Sequence, residues 1–354
     1  MRATLLLLAV SASLVPLWGQ DSEPDAPVAD WPEKPIPTTS VLAHDPVMMR
    51  EDGMYYVFTT GPGITVWSSE DMRSWVRRPA VFDPYPDWVP VAIPDFAGHM
   101  WAPDIAYHDG LYYLYYSVSA FGRNTSAIGV ATNRTLDSED PDYQWIDHGK
   151  VIRSYPGIHN WNAIDAQVTT DRDGVPYMAF GSFWSGLKLI ELRPDRLELA
   201  ECPDEMVTIA SRIEDPDAPR PAGGFSDRAG SGDIEAPFIF FKNGHYYLFA
   251  SIDRCCRGAD STYKMIVGRS IDIKGPYVDR DGQPLLHGGG TIILTGDDDW
   301  YAVGHNSVYT FDGSDYIVFH GYDASTERGL PRLRIHELAW DTDGWPVVLP
   351  DPVE

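Results

Sequence analysis

Basic residues are scarce in this chain: 27 lysines and arginines stand against 52 aspartates and glutamates, a formal net charge of −25. Nucleic acids and anionic membranes are both recognised through a basic footprint, so neither is expected as a partner. Cysteine is scarcer, with three residues in 354. They are Cys202 and the adjacent Cys255 and Cys256. Three thiols cannot all pair within one chain, and no zinc spacing is present. Adjacent cysteines bridge only through a distorted peptide unit, so the residues alone leave that pair open. Helical periodicity is also missing, which excludes an α/β fold.

Long apolar runs are absent beyond the first twenty residues. Those twenty, "MRATLLLLAVSASLVPLWGQ", place one Arg before an apolar run with small residues near its end. The run is too short for a spanning helix and has the form of a signal peptide, which predicts a secreted or periplasmic protein. Residues 21–38, acidic and Pro-rich, read as an extended linker. Residues 39–354 then form one domain, expected to act as a monomer.

What the chain has in quantity is turn formers and aromatic rings: 31 Gly, 29 Pro, 19 Tyr and 12 Trp. Five stretches join a turn to an aromatic strand: "EDGMYYVFTTG" (51–61), "HDGLYYLYYSV" (108–118), "RDGVPYMAFGS" (172–182), "KNGHYYLFASI" (242–252) and "FDGSDYIVFHG" (311–321). Asp-Gly and Asn-Gly are the dipeptides of two-residue hairpin turns, because both central residues take positive φ. The turn glycines, Gly53, Gly110, Gly174, Gly244 and Gly313, recur every 57 to 70 residues. Each aromatic strand is followed by another β-type run. Five such units predict an all-β, five-bladed β-propeller with a central channel.

A polar residue precedes each turn at the start of the first strand: Asp45, Asp104, Asp165, Glu235, and His305 with Asn306. Innermost strands of a propeller line one channel, so these side chains are expected to meet. Clustered carboxyls resist ionising together and their pKa values spread apart. One acid and one base on opposite faces of a sugar ring are what glycoside hydrolysis requires. Metal binding is the competing use of such a ring, with a calcium-like ion for oxygen ligands.

The stretches "HDPVMMREDGMYYVFTTGPGI", "GHMWAPDI", "WNAIDAQV", "FGSFWSGLKL", "GDIEAPFIF", "YYLFASIDRCCRGADSTYKMIVGRS" and "VGHNSVYTFDGSDYIVFH" resemble, in order, the five-bladed arabinanases of glycoside hydrolase family 43. The resemblance implies an inverting hydrolase of α-1,5-linked L-arabinofuranose chains, with arabinan or arabino-oligosaccharides as substrate. Within the same family, an α-L-arabinofuranosidase or β-xylosidase is the alternative. Outside it stands a non-catalytic glycan-binding propeller.

Carried over by position, Asp45 is the general base, Glu235 the general acid, and Asp165 the neighbour that orients the acid and raises its pKa. His305 corresponds to a channel histidine beside an ion, commonly calcium, held largely through water. Trp101, Phe121, Asn162, Ser182 and Trp184 correspond to the substrate cleft, and Cys255–Cys256 to an adjacent-cysteine bridge. Asp104 is expected to be structural, and His44 either orders the site or packs. One departure is Ala166, where the family pattern has Pro after the central Asp. Formal glycosylation acceptors stand at Asn124 and Asn133.

Overall fold

The computed structural model describes residues 34–352, so the expected signal peptide and most of the expected linker lie outside the described residues. Within the linker range, Ile36–Pro37 already pairs with Ser74 and Trp75. Among the described residues, no helix is long and apolar enough to cross a membrane.

Five antiparallel sheets follow one another along the chain. The second strand of each hairpin is the aromatic run read from sequence: Met54–Thr59, Leu111–Val118, Pro176–Phe180, His245–Ile252 and Ser314–Asp323. Four of the five turns have the expected geometry, with positive φ at Asp52–Gly53, Asp109–Gly110, Asn243–Gly244 and Asp312–Gly313. Blade three differs. Only Gly174 is left-handed there, and the Asp171 carboxylate accepts the amides of Asp173 and Val175, which spreads the turn over a longer loop.

Paired aromatics mark three of these strands, in blades one, two and four, because each is buried on both faces. Successive side chains point to opposite faces of a sheet. Tyr56 therefore packs with Ile105 and Leu114 of blade two, while Tyr55 packs with Val318 and Ile335 of blade five. Tyr112 and Tyr113 divide in the same way between blades one and three, and Tyr246 and Tyr247 between blades three and five. Among the described residues, each pair of neighbouring blades shares a core, and a smaller cluster of Tyr263, Ala302 and Tyr322 adds to the contact of blades four and five.

The ring closes through its first segment. Leu42 bridges Arg332 on the third strand of blade five, and the amides of Leu333 and Ala43 donate to the carbonyls of Val41 and Pro331 at 3.0 and 3.3 Å. The chain then crosses into blade one at His44 and Asp45, the first residues of the channel.

Candidate active site

Just before or within each innermost strand stands a residue in the left-handed region: Asp45 (φ 54°), Ala102 (41°), Asp165 (60°), Ala236 (57°) and His305 (53°). In blades two, four and five a break in the ladder accompanies it, between Trp101 and Asp104, Glu235 and Phe238, and Gly304 and Ser307. Such a bulge re-aims the side chains beside it, here toward the axis. It also turns the amide of the left-handed residue toward the preceding blade. Ala102 N–H donates to Thr60 Oγ1 (2.9 Å), Asp165 to Ser117 Oγ (3.0 Å), His305 to Ser251 Oγ (2.8 Å) and Asp45 to His320 Nδ1 (3.1 Å).

The fifth acceptor position falls on Gly181, which has no side chain to offer. A Cβ there would lie 2.7 Å from the Gly186 carbonyl oxygen, at a φ of +126°. Asp165 Oδ2 accepts the Ala236 amide instead, at 3.2 Å. Asp165 therefore ties down the residue next to Glu235. Ala166 leaves this geometry intact, since Asp165 is as left-handed as the residues followed by Pro.

This register corrects the expected equivalence of the five polar strand starts. Asp104 lies two residues past the left-handed position of its blade. It is buried and accepts the Val168 amide at 2.7 Å, joining blade two to blade three. Burial pushes its carboxyl up to about 7. Gln167 does the same work one blade on, accepting from Ile239 at 3.1 Å. Glu235 precedes its left-handed residue, in the position that Trp101 holds in blade two.

Asp45, Asp165, Glu235 and His305 are brought together, and their environments differ in sign. Asp45 Oδ1 lies 2.9 Å from His305 Nδ1 and 3.4 Å from His44 Nδ1, and Oδ2 accepts the Thr60 hydroxyl at 2.5 Å. Burial alone would raise the Asp45 carboxyl, but the His305 and His44 rings hold it well below the usual carboxylate range. Burial pushes Glu235 up, and the Asp45 charge adds to this against hydrogen bonding and His305. Ser182 Oγ donates to Glu235 Oε2 at 2.7 Å, and the buried Tyr263 hydroxyl approaches without reaching ordinary hydrogen-bond geometry. Asp165 is raised well above its usual value, by burial first and then, against His305, by Glu235 and Asp45. Burial would lower His305, yet Asp45 and the other two acids bring it up to about 9. At neutral pH the channel holds an ionised Asp45 against a protonated His305, with Glu235 biased toward its acid form.

The residues expected in the cleft separate into two groups. Phe121 is 67 % exposed on the loop after Leu111–Val118, and Trp101 is half-buried at the channel mouth. Asn162, Ser182 and Trp184 are buried and already engaged. Asn162 Oδ1 accepts the Ser126 hydroxyl at 2.6 Å, and Trp184 Nε1 donates to the Ser226 carbonyl at 2.9 Å. These three position other groups: the segment leading to Asp165, the Glu235 carboxyl and the 211–233 loop. Cys255 and Cys256 form a disulfide, and Cys202 is free and exposed. Asn124 and Asn133 are buried, so neither formal acceptor is open to glycosylation.

One cluster of three potential metal ligands exists among the described residues: His44, Asp45 and His320, with ligand atoms within 4.8 Å. Two imidazoles and one carboxylate suit calcium poorly, since that ion takes oxygen ligands. Every one of these ligand atoms already has a hydrogen-bonding partner. The residues do not fit a directly ligated calcium ion.

Sequence reasoning did not single out Thr60, Ser117, Ser251, His320, Tyr263 or Tyr322. A signal for four of them was present. Thr60, Ser117, Ser251 and His320 each fall seven residues after a turn glycine, and Gly181 holds the same place after Gly174.

The family model described as glycosyl hydrolases family 43 matches residues 34–346. An extracellular exo-α-(1→5)-L-arabinofuranosidase of Cellvibrio japonicus is 50% identical over 308 residues, covering 87% of this chain and 86% of that protein. An extracellular endo-α-(1→5)-L-arabinanase of Bacillus subtilis is 40% identical over 309 residues, covering 86% and 87%. Among solved structures, an α-L-arabinanase of Cellvibrio cellulosa complexed with arabinohexaose superposes with a TM-score of 0.83 at 49% identity, over 87% of this chain and 96% of that one.

Proposed function

The chain belongs to glycosyl hydrolase family 43, and from that premise we propose that it hydrolyses α-1,5-L-arabinofuranosidic bonds of arabinan with inversion. The observation that carries the reading is the opposite bias of two carboxyls in one channel, Asp45 pushed well below the usual carboxylate range by the His305 and His44 rings against burial and Glu235 pushed up by burial. Asp45 takes the proton of an attacking water, and Glu235 gives its proton to the departing sugar oxygen. Asp165 acts on Glu235 in two ways. The two carboxyls share one buried channel and resist ionising together, and the Asp165 hydrogen bond to Ala236 holds the backbone from which the acid projects. Ser182 fixes one oxygen of the acid.

Attack from a chain end is the second reading, favoured by the greater identity to the exo-acting relative than to the endo-acting one. Both relatives are named extracellular, which supports export of this enzyme. Exposed Phe121 and the half-buried Trp101 are the rings we assign to stacking on sugar. A calcium ion, if bound, is proposed to sit hydrated beside His305, with no step of the reaction assigned to it. Elemental analysis of the purified protein after dialysis checks it.

The test of the function is reducing-sugar release from linear arabinan and from xylo-oligosaccharides, by wild type and by Glu235→Gln. Wild type is expected to consume arabinan and the variant to lose about 10³-fold. Binding without hydrolysis by wild type would favour a glycan-capture protein. Consumption of xylo-oligosaccharides alone would move the substrate to xylan. A product mixture of one short oligosaccharide identifies end attack, and a ladder identifies internal cleavage.

A further inference from the structure

The assignment of Asp45 as general base requires that its carboxylate be aimed, and two side chains with no assigned part in the reaction converge on it. Resting on that assignment, we infer that Tyr322 and His320 are positioning residues for Asp45. With His44 they form a closed hydrogen-bond circuit that leaves the Asp45 amide and returns to the Asp45 carboxylate.

The direction of every bond in the circuit follows from its first. A backbone N–H can only donate, so His320 Nδ1, 3.1 Å from the Asp45 amide, is the unprotonated nitrogen of its ring. The His320 proton then sits on Nε2, which faces the Tyr322 oxygen at 3.3 Å. That oxygen also receives the Cys256 amide at 2.7 Å. With both lone pairs of the phenol taken, its own hydrogen goes to His44 Nε2 at 3.2 Å. His44 therefore carries its proton on Nδ1, which points at Asp45 Oδ1, 3.4 Å away.

Thr60 completes the cage from the other side. Its oxygen accepts the Ala102 amide, so its hydrogen is free for Asp45 Oδ2. His305 supplies the remaining donor to Oδ1. The three donors to the carboxylate come from three sources: His44 before it, Thr60 at the end of the next strand, and His305 in blade five. Remove the Tyr322 hydroxyl and His44 can take the other tautomer, turning a lone pair instead of a hydrogen toward Asp45. The same directions leave no lone pair of His44 or His320 free for a metal ion.

Tyr322→Phe is the informative change, since it keeps the ring contacts with His44 and His320 and removes one oxygen. On linear arabinan, kcat is expected to fall about 10-fold while KM stays within about 2-fold, the pattern of a mispositioned group that does not bind substrate. An unchanged kcat in Tyr322→Phe beside an active wild type would overturn the inference and leave the arabinan reading standing.

A second measurement needs no folded variant and no turnover. Long-range ¹H–¹⁵N correlation on the resting wild-type protein reads imidazole tautomers directly. The circuit requires His320 protonated on Nε2 alone and His44 on Nδ1. A His44 ring protonated on Nε2, or a His320 ring protonated on Nδ1, would contradict it whatever the substrate proves to be. Conversely, the predicted tautomers in a protein that leaves arabinan uncut would sink the substrate reading and not the circuit.

Discussion

At the mouth of blade three the left-handed residue is Asp165; at the same place in blades two and four it is Ala102 and Ala236, with φ of 60°, 41° and 57°. The amide of each is held by a side chain of the preceding blade, Ser117 for Asp165, Thr60 for Ala102 and Asp165 itself for Ala236. Alanine gains nothing in this conformation, which costs a non-glycine residue roughly 1–2 kcal/mol. The geometry is therefore a demand of the ring, met in every blade so that neighbouring sheets can be stitched near the axis. The side chain that occupies it is a separate choice, and in three blades that choice is Asp45, Asp165 and His305. The proposed base Asp45 and its channel neighbours Asp165 and His305 occupy positions whose backbone the architecture has already fixed.

The sharpest way to break this comparison is to make blade three chemically silent without moving it. In Asp165→Asn the amide oxygen can still accept from Ala236, and asparagine tolerates the left-handed region. Turnover on arabinan is expected to fall about 100-fold while the fold is kept. Because burial disfavours the Asp165 charge, the variant is expected to melt higher, by about 2 °C. Kinetics combined with thermal denaturation check both halves, and a lower melting temperature would mean that the charge stabilises the ring.

The next test compares the Asp45–His305 pair with the same site lacking its cation. His305 has its folded pKa raised from 6.5 to about 9, so its contribution is fully present below 6.5 and is lost as pH rises through about 9. Asp45 is depressed, so its share is present above the usual carboxylate range and is lost only in stronger acid. The melting temperature of wild type should exceed that of His305→Gln near neutrality, and the gap should close by pH 10. A gap independent of pH would show that His305 contributes packing and no charge.

The smallest effect concerns a stitch alone. Ser117→Ala removes the acceptor of the Asp165 amide and leaves a buried donor unpaired, at a cost of about 1–2 kcal/mol. Urea denaturation measures it. Stability equal to wild type would show that another group takes the amide.

Four hairpins were legible in the sequence because positive φ at two successive turn residues leaves a mark, Asp-Gly or Asn-Gly, that few other residues can replace. The fifth misled because Asp173–Gly174 carries that mark inside a longer loop capped by Asp171. Aromatic runs after the turns announced the strands, though not that both faces would be buried or which neighbour each ring would meet. Asp45, Asp165 and Glu235 could be found as acids in apolar strands, but their register could not. A bulge adds a residue to one strand without a compositional signature, so Asp104 looked equivalent to Asp165 while standing two places further on. The common mark of the mouth was the residue after it, Pro46, Pro103 and Pro237, which blades three and five replace with Ala166 and Asn306. The Tyr322 circuit was unreadable for another reason. It joins residues 44, 256, 320 and 322, which only the closing of the ring brings together.

The division of labour between Asp45 and Glu235 is tested most directly by the leaving group. Aryl glycosides of arabino-oligosaccharides with an activated phenol depart without protonation, so they bypass a general acid and still need a base. Glu235→Gln is predicted to keep near wild-type turnover on such a substrate while failing on arabinan, and Asp45→Asn to fail on both. Equal loss of the two substrates in Glu235→Gln would contradict its role as the proton donor, and retention of either in Asp45→Asn would contradict the base.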